Sequence, residues 1–143
     1  MKIIRTAQSD VSVSEETSIK KMWSDEEMEE VNVPYKKIYL ADSLGGRAFL
    51  TVEEGGIPSI VDIRSYSFDT PYEQQSNMKR RGFFTKVIQK MKELGYSEFV
   101  VSIQSNDSRL ALGRLIEKGI ITPIPGLERG ISVDRHPAGF RIN

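Results

Sequence analysis

The chain has 143 residues, of which 38% are hydrophobic, and its 20 basic and 20 acidic side chains leave no net charge. This size fits one globular domain with a core, and the neutral balance makes a nucleic-acid partner unlikely, so any positive site must be local. The absence of cysteine excludes disulfides, thiolate metal sites and a cysteine nucleophile, and the single histidine, His136, cannot form a histidine-rich metal site.

The N-terminal part is predicted to contain one strand and two short helices. MKIIRT (1–6) is typical of a strand, whereas SEETSIKKMW (14–23) and SDEEMEEV (24–31) favour helices. In the second of these helices, Ser24 and Glu27 stand at capping-box spacing.

Three β-rich runs follow, and short glycine-containing segments separate them. They are KKIYLADS (36–43), GRAFLTVEE (46–54) and IPSIVDIRSYSF (57–68). This arrangement predicts an antiparallel meander with tight turns.

The C-terminal half is predicted to be a loop over residues 69–81, a helix over 83–94, a buried strand at EFVVSIQ (98–104), a helix over about 107–118, and two short strands. The first helix carries an apolar stripe at helical spacing. The element order predicts an α/β fold, a mixed and mostly antiparallel sheet flanked by helices on both faces, in a single domain over residues 1–143.

A basic cluster stands directly in front of the first of these two helices. It consists of Lys79, Arg80 and Arg81, followed by Gly82 at the helix start. The first N–H groups of a helix have no partner within it and the dipole is positive there, so the segment predicts a seat for a phosphate or pyrophosphate. A solvated basic loop is the alternative.

Element order and two segments resemble the GNAT superfamily of N-acetyltransferases. Its pyrophosphate loop reads Gln/Arg-x-x-Gly-x-Gly/Ala, and KRRGFF (79–84) occupies that place, with Lys79 for Gln/Arg, Gly82 as the first glycine and Phe84 in place of the second. The segment NDSRLALGRLIEKGI (106–120) is similar to the family's Asn-x-x-Ala-x-x-Leu-Tyr-x-x-x-Gly-Phe, with Asn106 matching.

The resemblance implies that acetyl-CoA is the cosubstrate and that an amine is the acceptor. It implies a coenzyme site formed by Lys79, Arg80, Arg81, Gly82, Phe83, Phe84, Ser102 and Asn106. Leu115 stands where the family has the tyrosine that protonates the leaving thiolate, and leucine has no proton to give. Tyr72 and Tyr96 could supply a phenol from elsewhere in the chain, although neither is at the expected position.

Asp62 is the candidate catalytic base. The resemblance places this base on the strand before the pyrophosphate loop, and Asp62 is the carboxylate in the interior of that strand, with Arg64 on the same face. The alternative is a solvent-facing Asp62 paired with Arg64; Glu53 and Glu54 are further carboxylates nearby in sequence.

The sequence therefore predicts an N-acetyltransferase that acts on an unknown amine and binds no metal. The alternative is a catalytically inactive GNAT-fold structural or interaction protein, such as a phage or virion component. No apolar run approaches the roughly 18 residues of a membrane span, and residues 1–23 lack a signal peptide's apolar segment. We therefore expect a cytoplasmic location, or a virion if a phage encodes the chain, and a homo-oligomer or larger assembly is compatible with the sequence.

Overall fold

The computed structural model describes residues 2–4, 11–79, 82–101, 106–129 and 136–143. The strands are β1 (Lys2–Ile4), β2 (Ser12–Ser24), β3 (Glu29–Ala41), β4 (Arg47–Glu53), β5 (Ser59–Arg64), β6 (Glu98–Val101), β7 (Ile121–Pro123), β8 (Glu128–Arg129), β9 (His136–Pro137) and β10 (Gly139–Ile142). The helices within these ranges are α1 (Tyr72–Lys79), α2 (Phe83–Glu93) and α3 (Asn106–Glu117).

Eight of the described strands form one sheet in the order β1-β2-β3-β4-β5-β6-β10-β7, and β8 pairs separately with β9. The neighbours β5 and β6 are parallel, while the other neighbouring pairs are antiparallel. The prediction of an α/β fold with a mixed, mostly antiparallel sheet is therefore confirmed. The predicted meander is also confirmed, as the second half of β3 followed by β4 and β5.

The two predicted N-terminal helices are wrong, because residues 12–41 form one long β-hairpin. β2 and β3 pair without interruption from Ser12 opposite Ala41 to Ser24 opposite Glu29. The capping-box spacing does produce a contact, since the Glu27 N–H donates to Ser24 Oγ at 3.3 Å, but the contact closes a hairpin turn. Cross-strand pairing over thirteen residues therefore overrides the helix propensity of Glu, Lys and Met in this segment.

The outer half of this hairpin extends past the rest of the sheet. Among the described residues, β4 pairs with β3 only over Tyr35 to Ala41, so residues 19–34 form a two-stranded projection that we call the distal arm. Its apolar side chains are exposed, with Ile19 at 65%, Trp23 at 58% and Met28 at 71%.

The hydrophobic core lies between the sheet and the helices. Residues from the described strands and from α2 and α3 form one buried cluster, which includes Ile38, Leu50, Ile60, Phe99 and Phe140. The rings of Phe99 and Phe140, neighbours across β6 and β10, stack at 5.3 Å.

Helix α2 matches its prediction over 83–94 closely. It buries Phe83, Val87, Ile88 and Met91, and the chain leaves the helix through Gly95 at φ 95°. Lys90 is also fully buried and forms an ion pair with Glu93 at 2.9 Å.

Helix α3 spans Asn106–Glu117 against the predicted 107–118, and Gly119 follows at φ 73°. Helix α1 lies inside the predicted loop and buries none of its side chains. It therefore carries no amphipathic period by which the sequence could have indicated it.

Candidate functional site

An open cleft of about 620 Å³ lies between β5, the start of α2 and one side of α3. One wall runs from Ile60 on β5 to Tyr66, two residues past the end of the strand, and α1 contributes Ser76 and Lys79. The remaining wall comes from the start of α2 and from α3, as Gly82, Phe83, Phe84, Thr85, Ser108, Leu110, Ala111, Arg114, Leu115 and Lys118. The cleft thus lies at the exit of β5, where the described pairing with β6 ends at Ile60 and Val101.

The charged side chains that line this cleft are mostly cationic. Arg64, Lys79, Arg114 and Lys118 face it together with one carboxylate, Asp62. Arg114 lies in the last turn of α3, and Lys118 directly follows the helix, with its N–H donating to the Arg114 carbonyl at 3.0 Å, so the two residues lie on the same side. The cleft of a chain without net charge is therefore locally positive, as a site for an anionic ligand requires.

Gly82 lines the cleft as the N-cap of α2, at φ 80° and ψ 25°. Among the described residues no side chain caps the helix, and a Cβ placed on Gly82 would meet no atom within 4 Å. Gly82 itself is exposed, so the start of α2 borders the open space of the cleft. Lys79 lines the same cleft, whereas Arg80 and Arg81 lie outside the described residues.

The two phenylalanines that follow Gly82 have different positions. Phe83 is 1% exposed and belongs to the core, whereas Phe84 is half-buried and packs against the core while lining the cleft. Phe84 therefore forms part of the wall and leaves the cleft open.

Asp62 is exposed on β5 and lines the cleft. Phe49 lies opposite Asp62 and Leu50 lies opposite Ile60, so Val61 is the extra residue of a β-bulge. The bulge directs Asp62 away from the core face that Ile60 occupies, which regular alternation would not do. Within the described residues no ion pair joins Asp62 to Arg64, whose guanidinium instead lies 3.9 Å from the centre of the Phe68 ring.

The tyrosine that lines the cleft is not one of the two that the sequence offered. Leu115 is 3% exposed and lines the cleft, so the position where the family has its tyrosine holds an apolar wall. Tyr72 is 85% exposed on α1 and is not among the cleft residues, and neither is Tyr96, whose pKa is raised by burial and by the charge of Glu15. Tyr66 lines the cleft instead, with Lys79 Nζ 6.0 Å from its ring centre.

Two of the residues predicted to bind the coenzyme lie wholly or partly outside the described part of the chain. Ser102 lies outside it, and so does the side chain of Asn106, although Asn106 is the first residue of α3. Sequence reasoning missed Tyr66, Arg114 and Lys118. The spacing of Arg114 and Lys118 on a predicted helix was the available signal for the two cations.

The described ranges contain no group of three or more His, Asp or Glu side chains that could hold a metal ion. No described helix combines the length and apolar character needed to cross a membrane.

No protein-family model matches the chain, and neither does any curated protein or solved structure.

Proposed function

We propose that the chain is a GNAT-type N-acetyltransferase, with helices on both faces of its sheet, which transfers the acetyl group of acetyl-CoA to an amine. The observation that carries the proposal is the cationic cleft at the exit of β5, which joins Gly82 at the start of α2 to Lys79, Arg114 and Lys118. The helix start and these cations together suit the pyrophosphate of the coenzyme.

The proposed chemistry is acyl transfer from a thioester to an amine. Asp62 accepts a proton from the substrate ammonium, directly or through water, and the amine nitrogen then attacks the thioester carbonyl carbon. A backbone N–H beside the bulge at Val61 donates to the developing oxyanion. Collapse of the tetrahedral intermediate forms the amide and breaks the C–S bond, and the Tyr66 hydroxyl gives its proton to the departing thiolate. The second proton lost by the amine nitrogen restores the Tyr66 hydroxyl, and Asp62 releases the first proton to solvent.

The first prediction is that the cleft binds acetyl-CoA through its cations. Reversing charge in Lys79→Glu or Arg114→Glu should weaken binding about tenfold or more, equivalent to about 1.4 kcal/mol, because charge-assisted contacts to phosphate are lost and repulsion replaces them. Isothermal titration calorimetry with acetyl-CoA measures the affinity.

Arg141→Glu is the matched control, since Arg141 is exposed on β10 and does not line the cleft. Its affinity should equal that of the wild type. Equal affinity in all three variants would show that acetyl-CoA does not occupy this cleft.

The second candidate function is a GNAT-fold interaction protein without catalysis, such as a virion component. The distal arm favours it, because Ile19, Trp23 and Met28 are exposed there and contribute nothing to the core. Absence of any heat signal or thermal shift with millimolar acetyl-CoA in the wild type would make this candidate the better one.

A further inference from the structure

A second cavity, of about 400 Å³, opens next to the cleft on the exposed face of β4 and β5. Its walls include Arg47, Asp62, Arg64, Tyr66, Phe68 and Asp69. Asp62, Arg64 and Tyr66 line the cleft as well, so the two spaces meet at the candidate base. The cavity has the size of a small-molecule site.

The charges around this cavity are balanced, unlike those of the cleft. Arg47 and Arg64 provide two guanidinium groups, and Asp62 and Asp69 provide two carboxylates. A hydrogen bond from the Ser67 hydroxyl, with a smaller backbone contribution, holds the pKa of Asp69 below its usual value, so Asp69 is ionised at neutral pH. A ligand that matches these walls carries both a cationic and an anionic group.

Arg47 and Arg64 lie where their like charges repel each other. They lie directly opposite across β4 and β5, an arrangement that destabilises a sheet when the two charges are alike. An anion between the two guanidinium groups would remove that cost and would form charge-assisted hydrogen bonds with both. The geometry therefore favours a carboxylate or phosphate at this point.

The turn directly before Arg47 is fixed by hydrogen bonds and by contact with the neighbouring loop. Asp42 Oδ1 accepts the N–H groups of Leu44 at 3.1 Å and Gly46 at 2.8 Å, which closes the turn directly before Arg47. A Cβ on Gly45 would lie 3.1 Å from Ser67, so this turn is in close contact with the loop that carries the other wall. The Arg64 guanidinium lies 3.9 Å from the centre of the Phe68 ring, which is itself 89% exposed.

We propose that this cavity binds the acceptor, and that the acceptor is a primary amine that also carries an anionic group, either a carboxylate or a phosphate. The anion lies between Arg47 and Arg64, and the amine is directed towards Asp62 at the junction with the cleft. The role of this ligand as acceptor rests on the proposed acetyltransferase function, whereas the binding of such a zwitterion does not.

Calorimetric titration of the full chain with matched compounds tests the proposal. The carboxylate pair is L-leucine and L-leucinamide, the phosphate pair is O-phosphoethanolamine and ethanolamine, and N-acetyl-L-leucine tests the need for the amine. We expect L-leucine to bind at least tenfold more tightly than L-leucinamide and N-acetyl-L-leucine, or O-phosphoethanolamine to bind at least tenfold more tightly than ethanolamine. The pair that shows the preference identifies the anion.

Arg47→Gln should abolish this preference while leaving the affinity for acetyl-CoA unchanged, because Arg47 does not line the cleft. Arg141→Gln is the control and should retain the preference, and circular dichroism checks that both variants are folded. Equal binding within each pair, no binding by any compound, or an unchanged preference in Arg47→Gln would each overturn the proposal.

Transfer itself is measured with the same compounds by the thiol of released coenzyme A, using Ellman's reagent. The chain has no cysteine, so the protein adds no background to this signal. Acetyl-CoA binding without a zwitterion preference would overturn this inference and leave the proposed function standing. An Arg47-dependent preference without acetyl-CoA binding would support the ligand class and overturn the proposed function.

Discussion

Asp62 is the residue on which both proposed activities depend. The bulge at Val61 turns it to the exposed face, where it borders the cleft and the second cavity together. A carboxylate at such a junction can contact a bound amine from the second cavity and is also next to the place where a thioester would lie. It is thus well placed for proton transfer and has no comparable role in stabilising the core.

We predict that Asp62→Asn slows acetyl transfer by roughly 10²-fold or more at neutral pH, the usual effect of removing a general base. Acetyl-CoA affinity should be unchanged, because asparagine keeps the shape of the side chain. The loss should shrink as pH rises, since more of the amine then arrives deprotonated and needs no base. Rates of thiol release across a pH series measure both effects.

Asp25→Asn is the matched control, because Asp25 is an exposed carboxylate in the turn at the tip of the distal arm. It should transfer at the wild-type rate. Full activity of Asp62→Asn at neutral pH would show that another group is the base, and Glu53 and Glu54 would be the next candidates.

At the scale of single residues, the sequence indicated some members of the cleft and missed others for a physical reason. Lys79 and Gly82 follow from a local pattern at the start of one helix, and Asp62 follows from what the resemblance implies for the preceding strand. Arg114 and Lys118 reach the cleft only through the packing of α3. Arg47, which lines the second cavity, is distant in sequence and is set opposite Arg64 only by the pairing of β4 with β5. Such a juxtaposition depends on register, and one bulge changes it.

At the scale of elements, α2 and α3 illustrate two different roles of glycine. Gly82 at the start of α2 has φ 80°, a conformation that side chains other than glycine adopt at a cost. Gly113 lies inside α3, has no positive φ, and a Cβ there would meet nothing within 4 Å. The same substitution should therefore have opposite effects at the two positions.

We predict that Gly82→Ala lowers the free energy of unfolding by about 1 kcal/mol, the cost of the left-handed conformation. Gly113→Ala should raise it by about 0.5–1 kcal/mol, the difference in helix propensity. Urea denaturation followed by circular dichroism measures both. A shift of the same sign in the two variants would contradict the assigned backbone geometry.

The elements that the sequence predicted well are those with a strong local period. α2 has a continuous apolar stripe that ends at Gly95, and its bounds were predicted to within one residue. The sequence predicts helices in the hairpin of β2 and β3 because Glu15, Glu16, Lys20 and Lys21 are helix formers. The strand pairing that decides the structure joins residues up to 29 positions apart. Alternating valines at Val11 and Val13, and again at Val31 and Val33, were the available strand signal.

At the scale of the whole molecule, the distal arm and the core are separable. None of the buried hydrophobic side chains in the described ranges belongs to residues 19–34, and the arm meets β4 through the ion pair of Lys20 with Glu53, which is exposed. Exposed ion pairs contribute little to stability. The arm should therefore form on the sheet without being needed for it.

We predict that replacing residues 19–34 by Asn-Gly, which joins the opposite residues Ser18 and Tyr35 through a two-residue turn, changes the free energy of unfolding by no more than about 1 kcal/mol. Leu50→Ala, which removes a fully buried side chain, should lower it by about 2–5 kcal/mol. Urea denaturation compares the two variants. A shortened chain as unstable as Leu50→Ala would show that the arm is part of the cooperative fold.

The arm also carries the only tryptophan of the chain, Trp23, which is 58% exposed and lies opposite Glu30. Intrinsic tryptophan fluorescence therefore originates outside the hydrophobic core, from an indole that is already more than half exposed to water. Its emission should shift little when the core unfolds, and the tyrosines must report that event instead. The same indole is a ready optical probe for any molecule that covers the arm, since burial would move its emission to shorter wavelength without a label.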